Sequence, residues 1–498
     1  MEEKLSLDTI RYYDPVLRTN LSATETAEGV LGDSMPDIER ILDASASAYL
    51  RSKTLSDGRI TVEGALQATV LYVGQGEPRI QKWELTAPLL LTGEAPELRE
   101  TDALTVWLCV ESAEAEAVTP RTLSLRAEVG AAVAVYRPET LDISTLGADA
   151  PGFQTLREER EISYIASVGE KSFAVSEELS LPAGRPPLSR LLAYHLQTMT
   201  DETKQVAGKM ILQGSVRVHL LYLTAEEDTP LQETFSVPFS QIMDAPGDSA
   251  ATAAVTLCPT ACYLEPLPGV NGSRSLSLEL QLTAQTLCRV ERRVEYIADA
   301  YCLRCPCSME RETVSVNGAE RVALAGDTLR QTVEIPETAG EVLFAYAEAG
   351  IPILGEGKAH VSVTAHMLYR SERGDLSSAV KRLRSELSAD VGVDSAVDPG
   401  VPLCGEAHVT SAGDSLEVRV PLELRLAWAP REEISFVRSV EEDDSPAPEA
   451  ERRPSLVIVR PGDRSLWELA KEYGSTREMI ESANPGGIGE LLLIPRAR

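Results

Sequence analysis

The segment VEGALQATVLY at residues 62–72 is followed 150 positions later by LQGSVRVHLLY at residues 212–222. The same offset separates MPDIERIL at residues 35–42 from RPPLSRLL at residues 185–192. The two copies keep register over nearly 40 residues, which indicates a repeated structural unit. A weaker third copy, VSVTAHMLY, lies at residues 361–369 and has valine in place of the glycine.

Each copy ends in a run of alternating apolar and polar residues. These runs lie at residues 123–129, 276–282 and 416–426. A period of two is typical of a half-buried β-strand, and further strand-like stretches with glycine-containing turns lie between the two ends of each copy. We therefore predict a mainly β chain made of tandem antiparallel β-domains that are sandwich-like.

The segments that open the first two copies contain proline followed by spaced apolar residues. In the first copy Ile38, Ile41 and Leu42 follow a helical spacing just after the proline. Because proline pre-sets the first turn of a helix, this pattern predicts one short helix in each domain. A binding knob is the alternative interpretation of the same residues.

The repeat offset and a change of composition after Trp428 divide the chain. The predicted parts are a first β-repeat at 1–150, a second at 151–310, a degenerate third at 311–438, an acidic linker at 439–453 and a small module at 454–498. Residues 441–451 are acidic, contain proline and carry no large apolar side chain. We therefore expect the linker to be extended and to tether the module.

The composition excludes one class of function. The chain has 47 Lys or Arg residues against 77 Asp or Glu residues, a net charge of −30, and no basic stripe that would bind nucleic acid. The charged N-terminus does not resemble a signal peptide, and no window reaches the roughly 18 apolar residues of a transmembrane segment. We therefore expect a cytoplasmic protein.

Six of the eight cysteines lie between positions 258 and 307. Zinc is one interpretation of Cys258, Cys262, Cys302, Cys305 and Cys307, although only the Cys-x-x-Cys half has a suitable spacing. Small buried hydrophobic residues are the other interpretation, which we favour. We expect reduced thiols, no disulfide framework, and no bound metal or cofactor.

A short pattern resembles an enzyme motif. Residues 413–416, Gly-Asp-Ser-Leu, match the nucleophile block of a lipase family, but such a serine needs a histidine acceptor and none follows His408. Because Ser415 opens an alternating strand, we interpret the pattern as a turn. The chain also lacks the P-loop pattern for nucleotide phosphates. We expect a non-enzymatic protein, with histidines that are ordinary strand or surface residues.

The last part of the chain can be built from local signals. One β run lies at residues 456–459 and a second at residues 491–495. Between them Ser465 and Ser475 are each followed three residues later by Glu, a capping-box pattern that starts a helix. Gly474 suits the end of the first helix. The predicted order is β-α-α-β.

The residues that give this module a family resemblance are Pro461, Gly462, Asp463, Leu466, Trp467, Ala470, Tyr473, Gly474, Ile480, Asn484, Leu493, Ile494 and Pro495. They resemble a LysM domain, a family that binds N-acetylglucosamine chains in a groove between two loops. By this resemblance the groove residues are Gly462, Asp463, Ser465, Leu466, Asn484, Pro485, Gly487 and Ile488. Two departures affect the groove wall: Arg464-Ser465 replaces a single threonine, and the stretch after Asn484 is short.

A second resemblance covers nearly the whole chain. The Met-Pro-Asp-Ile segment and the Val-x-Gly strand that ends in Leu-Tyr resemble the repeated domain of spore-coat assembly proteins. Three repeats, an acidic linker and a LysM module are similar in layout to the family of stage IV sporulation protein A-interacting proteins. This resemblance implies a mother-cell scaffold that is recruited to the forespore surface by a coat-basement ATPase, with the LysM module as a protein-docking surface. The alternative is a cell-wall or cortex protein that binds peptidoglycan or N-acetylglucosamine.

Overall fold

The computed structural model describes residues 6–145, 153–206, 208–226, 229–245, 251–269, 272–303, 307–355, 357–388, 396–442, 454–487 and 489–497. The prediction of a mainly β chain with several antiparallel sheets is confirmed. Within these ranges there are two helices, and both lie after residue 453. Neither is long and apolar enough to cross a membrane.

The first segment contains six strands in two sheets. They are β1 (Ser6–Val30), β2 (Ile38–Ser56), β3 (Arg59–Gly74), β4 (Glu77–Glu94), β5 (Ala103–Thr119) and β6 (Thr122–Thr145). One sheet has the order β5-β6-β1 and the other β2-β3-β4. Apolar residues of the two sheets share one core, in which Val62 and Val70 lie with Leu123 and Ala127. This face-to-face packing is that of a sandwich.

The second segment repeats this strand order. Its strands are β7 (Phe153–Ser180), β8 (Leu188–Val206), β9 (Lys209–Thr224), β10 (Pro230–Asp244), β11 (Ala251–Pro266) and β12 (Ser275–Cys302). The sheets have the orders β11-β12-β7 and β8-β9-β10. The same pairing at a 150-residue offset supports the repeat found in the sequence, while the boundaries near 150 and 310 remain predictions.

The third segment keeps this plan with divided outer strands. Its strands are β13 (Cys307–Asn317), β14 (Arg321–Glu334), β15 (Ala339–Ala349), β16 (Ile353–Gly355), β17 (Lys358–Ser371), β18 (Leu376–Ser388), β19 (Ala396–Pro399), β20 (Leu403–Cys404), β21 (His408–Ser411), β22 (Ser415–Ala429) and β23 (Arg431–Glu442). Strands β13 and β14 pair with β23 and β22, and β17 lies between β15 and β18.

The predicted short helix in each domain is wrong. A turn precedes Ile38, and β2 begins there, as β8 does at Leu188. The pairing of β2 with β3 has bulges between Ile38 and Arg40 and between Ile41 and Asp43. Because each bulge inserts one residue, the inward positions are no longer spaced by two. The bulged strand therefore has apolar residues at a spacing that resembles a helix.

The three segments meet in two apolar clusters. The central cluster is built from the β2-β3-β4 sheet and its two counterparts, and it contains Leu42, Leu71, Val73, Ile80, Leu192, Ala193, Leu221, Leu223, Leu343, Phe344, Tyr346, Leu368 and Leu376. The stem cluster is built from the long first and last strands of each segment, and it contains Ile10, Ile143, Ile162, Val294, Tyr296, Val316, Ile434 and Phe436. The three segments are therefore packed around shared cores.

The C-terminal module follows β23. Residues 439–442, which the sequence placed in the linker, belong to β23, and residues 443–453 lie outside the described residues. The module contains β24 (Leu456–Val459), α1 (Leu466–Tyr473), α2 (Arg477–Ala483) and β25 (Leu492–Pro495). The predicted β-α-α-β order is confirmed. Its two strands form an antiparallel pair.

Candidate functional site

The module has its own small core. Leu469, Ala470 and Ile480 of the helices and Leu492 and Ile494 of β25 are at most 1% exposed. The opposite face of the strand pair carries Leu456 and Ile458, which are 51% and 61% exposed. The helices therefore cover one face of the β24–β25 strand pair and leave the other face in solvent.

The first wall of the predicted groove is the turn before α1. Ser465 is the N-cap, its Oγ accepts from the Glu468 N–H at 3.2 Å, and the Glu468 carboxylate accepts from the Ser465 N–H at 2.7 Å. The predicted capping box is therefore confirmed. Gly462, at φ 59°, and Asp463 are exposed, while Leu466 packs against the module core.

The inserted Arg464 braces this turn. Its guanidinium donates to the Pro461 and Arg460 carbonyl oxygens at 3.2 and 2.8 Å and to the Glu472 carboxylate at 2.8 Å. The departure from the LysM pattern is therefore accommodated by a local network on the surface of the module.

The second wall is the loop from α2 to β25. The Asn484 side-chain amide donates to the Ile480 and Leu493 carbonyl oxygens, both at 2.7 Å, and its oxygen accepts from the Leu493 N–H at 2.9 Å. These bonds hold the loop together and occupy the side chain. Pro485 and Gly487 are exposed. Ile488, the last groove residue predicted from the sequence, lies outside the described residues.

The second capping box is wrong. Ser475 is fully buried, and the N-cap of α2 is Thr476, whose Oγ1 accepts from the Met479 N–H at 3.2 Å. Gly474 ends α1 at φ 64° as predicted, and the Ser475 N–H then donates to the Ala470 carbonyl oxygen at 2.9 Å. Ser475 therefore belongs to the end of α1, and α2 begins one residue later.

The structure also brings together residues that sequence reasoning missed. Asp299, near the end of β12, accepts from the Trp467 indole N–H and from the Lys471 ammonium, each at 2.8 Å. Arg311 of β13 donates to the same carboxylate at 2.7 Å. Burial raises the pKa of Asp299, but the hydrogen bonds from Lys471 and Trp467 outweigh it, so the pKa lies below its usual value.

Tyr301 completes this contact. Its hydroxyl donates to the Ser475 carbonyl oxygen at 2.8 Å, and its ring meets the Trp467 ring edge-on with centroids 4.9 Å apart. Burial raises the pKa of Tyr301 to about 12. We call the contacts of Asp299 and Tyr301 with Trp467, Lys471 and Ser475 the dock. Its halves are more than 160 positions apart, so local patterns cannot reveal it.

The cysteines do not form a metal cluster within the described residues. The Cys258 thiol is buried, donates to the Val106 carbonyl oxygen at 2.8 Å and lies 3.0 Å from the Gln285 amide nitrogen. Burial raises the pKa of Cys258 to about 12 and that of Cys262 to about 11. Cys302 and Cys307 are half-buried, and Cys305 lies outside the described residues. The two buried thiols occupy core positions, as favoured from the sequence.

The other motifs also have structural roles. The Ala412 N–H donates to the Ser415 carbonyl oxygen at 2.9 Å, and Gly413 has a φ of 71°, so the lipase-like pattern is the turn between β21 and β22. His195 lies 3.1 Å from a Glu348 carboxylate oxygen, and His366 lies 3.0 Å from Asp43. Both histidines lie at junctions between segments.

A comparison with known protein families identifies part of the first segment. Residues 37–118 match the family model described as SipL, SPOCS domain. The matched range contains β2 to β4 and nearly all of β5. No curated protein and no solved structure matches the chain. The match supports a SipL-like, sporulation-related protein.

Proposed function

We propose that this chain is a non-enzymatic scaffold of spore coat assembly. In this proposal it resides in the mother-cell cytoplasm and docks on a coat-basement ATPase at the forespore surface, and the module at 454–498 is a LysM domain that serves as the docking surface. The observation that carries the proposal is the SipL match at residues 37–118, within a chain whose strand order recurs.

Two features of the structure support a scaffold. The segments are packed around the central and stem clusters, which gives a broad, fixed β surface. The polar groups in the enzyme-like patterns are used in folding, because the Ser415 hydroxyl donates to the Ala412 carbonyl oxygen at 3.1 Å and the Cys258 thiol donates to a strand carbonyl oxygen. The net charge of −30 favours encounter with a basic partner surface.

Two features of the module favour a protein partner over a glycan. The Asn484 side chain is occupied by loop hydrogen bonds. Both aromatic residues of the module, Trp467 and Tyr473, lie in α1, and Trp467 contacts Tyr301. The groove rim therefore lacks an aromatic platform among its described residues, and a protein interface does not need one.

The test is calorimetry with the full-length chain, titrated in turn with purified coat-basement ATPase and with chitooligosaccharide. We expect binding to the ATPase and none to the sugar. Ile488→Asp, at the predicted groove, should weaken ATPase binding by about 2 kcal/mol. The matched control is Ile458→Asp, which introduces the same change on the exposed face of β24 and should have no effect. Sugar binding without ATPase binding would reverse the assignment in favour of the glycan-binding alternative.

A further inference from the structure

In the dock, the side of α1 that carries Trp467 and Lys471 packs against the end of β12. Trp467 directly follows the groove residue Leu466, and Lys471 lies one turn further along α1. Tryptophan is enriched at the energetic centres of protein interfaces, and a nearby cation adds charge specificity. Here both side chains are satisfied by Asp299, whose side chain is only 15% exposed. The end of β12 therefore occupies the surface that α1 would offer to another protein.

We propose that the dock is an autoinhibitory latch, and that the partner of the module presents to α1 the same chemistry as the end of β12: a carboxylate beside an aromatic ring. This inference rests on the proposed function, because it specifies the partner surface that the module recognises. The latch is closed in the structure described. Opening frees the Trp467 indole and the Lys471 ammonium for the partner.

The contacts of the dock allow it to open without leaving a buried charge unpaired. Asp299 keeps Arg311, 2.7 Å away on β13, after the module leaves. Lys471 is already 35% exposed and becomes solvated. The module retains Leu469, Ile480 and Leu492, but Tyr301, which is 5% exposed, and Leu303 leave the apolar cluster that they share with these residues. The cost of opening is therefore a few hydrogen bonds, the contact between the Tyr301 and Trp467 rings, and the exposure of Tyr301 and Leu303 to solvent.

Other occupants of the α1 surface fit less well. A second copy of the chain also carries a net charge of −30, which opposes self-association. The acidic stretch at 441–451 offers carboxylates but no aromatic ring. A partner protein with a carboxylate beside an aromatic side chain meets both requirements that Asp299 and Tyr301 meet here.

The latch can be tested without any partner. Asp299→Ala in the full-length chain removes the acceptor of Trp467 and Lys471. The matched control is Glu295→Ala, four residues earlier on β12, whose carboxylate pairs only with exposed Arg157 in the described contacts. By hydrogen exchange, we expect the amides of α1 to exchange about tenfold faster in Asp299→Ala than in the control. Equal exchange in the two variants would overturn the latch.

The partner surface is tested by the affinity for purified coat-basement ATPase. Asp299→Ala should tighten binding by up to about tenfold if one module in ten is open at rest. Lys471→Ala and Trp467→Ala should also open the latch but weaken binding, because they remove the partner's contacts. Weaker binding of Asp299→Ala, or unchanged binding of both α1 variants relative to Asp299→Ala, would overturn the inference. Loss of ATPase binding in every form would instead refute the proposed function, and the exchange result would still decide the latch.

Discussion

The pair of His366 and Asp43 shows how one side chain joins two segments. His366 lies on β17 and Asp43 on β2, and the His366 ring stacks on Tyr346 with centroids 4.7 Å apart. Burial lowers the pKa of His366, but the carboxylates of Asp43 and Glu348 outweigh it, so the pKa is raised above 6.5. The protonated imidazole is therefore stabilised at a junction of the first and third segments.

This raised pKa gives the junction a pH dependence of known sign. Because the folded pKa exceeds the unfolded one, the pair contributes its full stability below about pH 6.5 and loses it as the pH rises through the folded pKa. We expect Asp43→Asn to lower the free energy of unfolding by about 2 kcal/mol at pH 6 and by clearly less at pH 9. Urea unfolding at both values measures the difference, with exposed Glu94→Gln as the control. A loss that is equal at both values would contradict this assignment.

At the residue scale, the sequence predicts the role of a side chain correctly only where its contacts are with residues nearby in the chain. The capping box of Ser465 with Glu468 and the helix end at Gly474 are both predicted by the residues around a single helix, α1. Asn484 was assigned to the groove, but its side chain holds the loop through Leu493, nine positions away. Asp299 gave no signal, because its partner Trp467 lies 168 positions along the chain.

At the scale of elements, bulges explain why the predicted short helices are wrong, and their positions recur in the first two segments. The first two segments have bulges at matching positions of β2 and β8, including one between Leu50 and Ser52 and one between Thr200 and Glu202. Alternation predicted the regular closing strands correctly, since β6, β12 and β22 have no such interruption against their first-strand partners over the alternating runs. Strands with bulges lose the period of two, which is why Ile38, Ile41 and Leu42 at the start of β2 have a helical spacing in the sequence.

The glycine in the Val-x-Gly strand is also explained by the bulged partner strand, whose backbone comes close to it. A Cβ atom at Gly64 would lie 2.6 Å from the Tyr49 carbonyl oxygen, and one at Gly214 would lie 2.4 Å from that of Met199. In the third segment β15 stops at Ala349 and β16 starts at Ile353, so the partner strand is interrupted opposite Val361. The break in the partner strand explains why valine fits there.

We therefore expect Gly64→Ala to destabilise the protein by about 1–3 kcal/mol, because backbone atoms of β2 must move to admit the methyl group. Gly326→Ala is the matched control: it also lies inside a strand, but its nearest neighbour would be 3.6 Å from the added carbon. Urea unfolding of both variants provides the comparison. Equal effects would show that the close approach at Gly64 is not what requires glycine.

At the scale of the whole molecule, the segments contact one another in a cyclic order. Arg190 of the second segment donates to the Ile80 carbonyl oxygen of the first at 2.7 Å, and Arg40 of the first donates to the Leu376 carbonyl oxygen of the third at 2.5 Å. These arginines follow the same bulge in their strands. The position after that bulge in the third segment is Glu341, which pairs with Arg370 of its own segment.

The second and third segments are joined by other groups. Arg289 of β12 pairs with Asp398 of β19 at 2.9 Å, and the same carboxylate also accepts from Arg18 of β1 at 2.7 Å. Asp398 is thus shared by all three segments. A head-to-tail contact that closes after three units leaves no open copy of the interface, which limits further self-association.

A closed arrangement predicts that damage at its centre spreads to every segment. Leu221 is fully buried in the central cluster, to which all three segments contribute, whereas Leu278, 1% exposed, lies in the sandwich core of the second segment. Truncation of either residue to alanine should cost about 2–5 kcal/mol. In hydrogen exchange we expect Leu221→Ala to accelerate exchange in β3 and β17 as well as in β9, because the lost contacts supported all three sheets. Leu278→Ala should accelerate exchange mainly in the second segment. If Leu221→Ala affected only β8 to β10, the segments would be independent sandwiches that merely touch, and the shared core would not be the source of their rigidity.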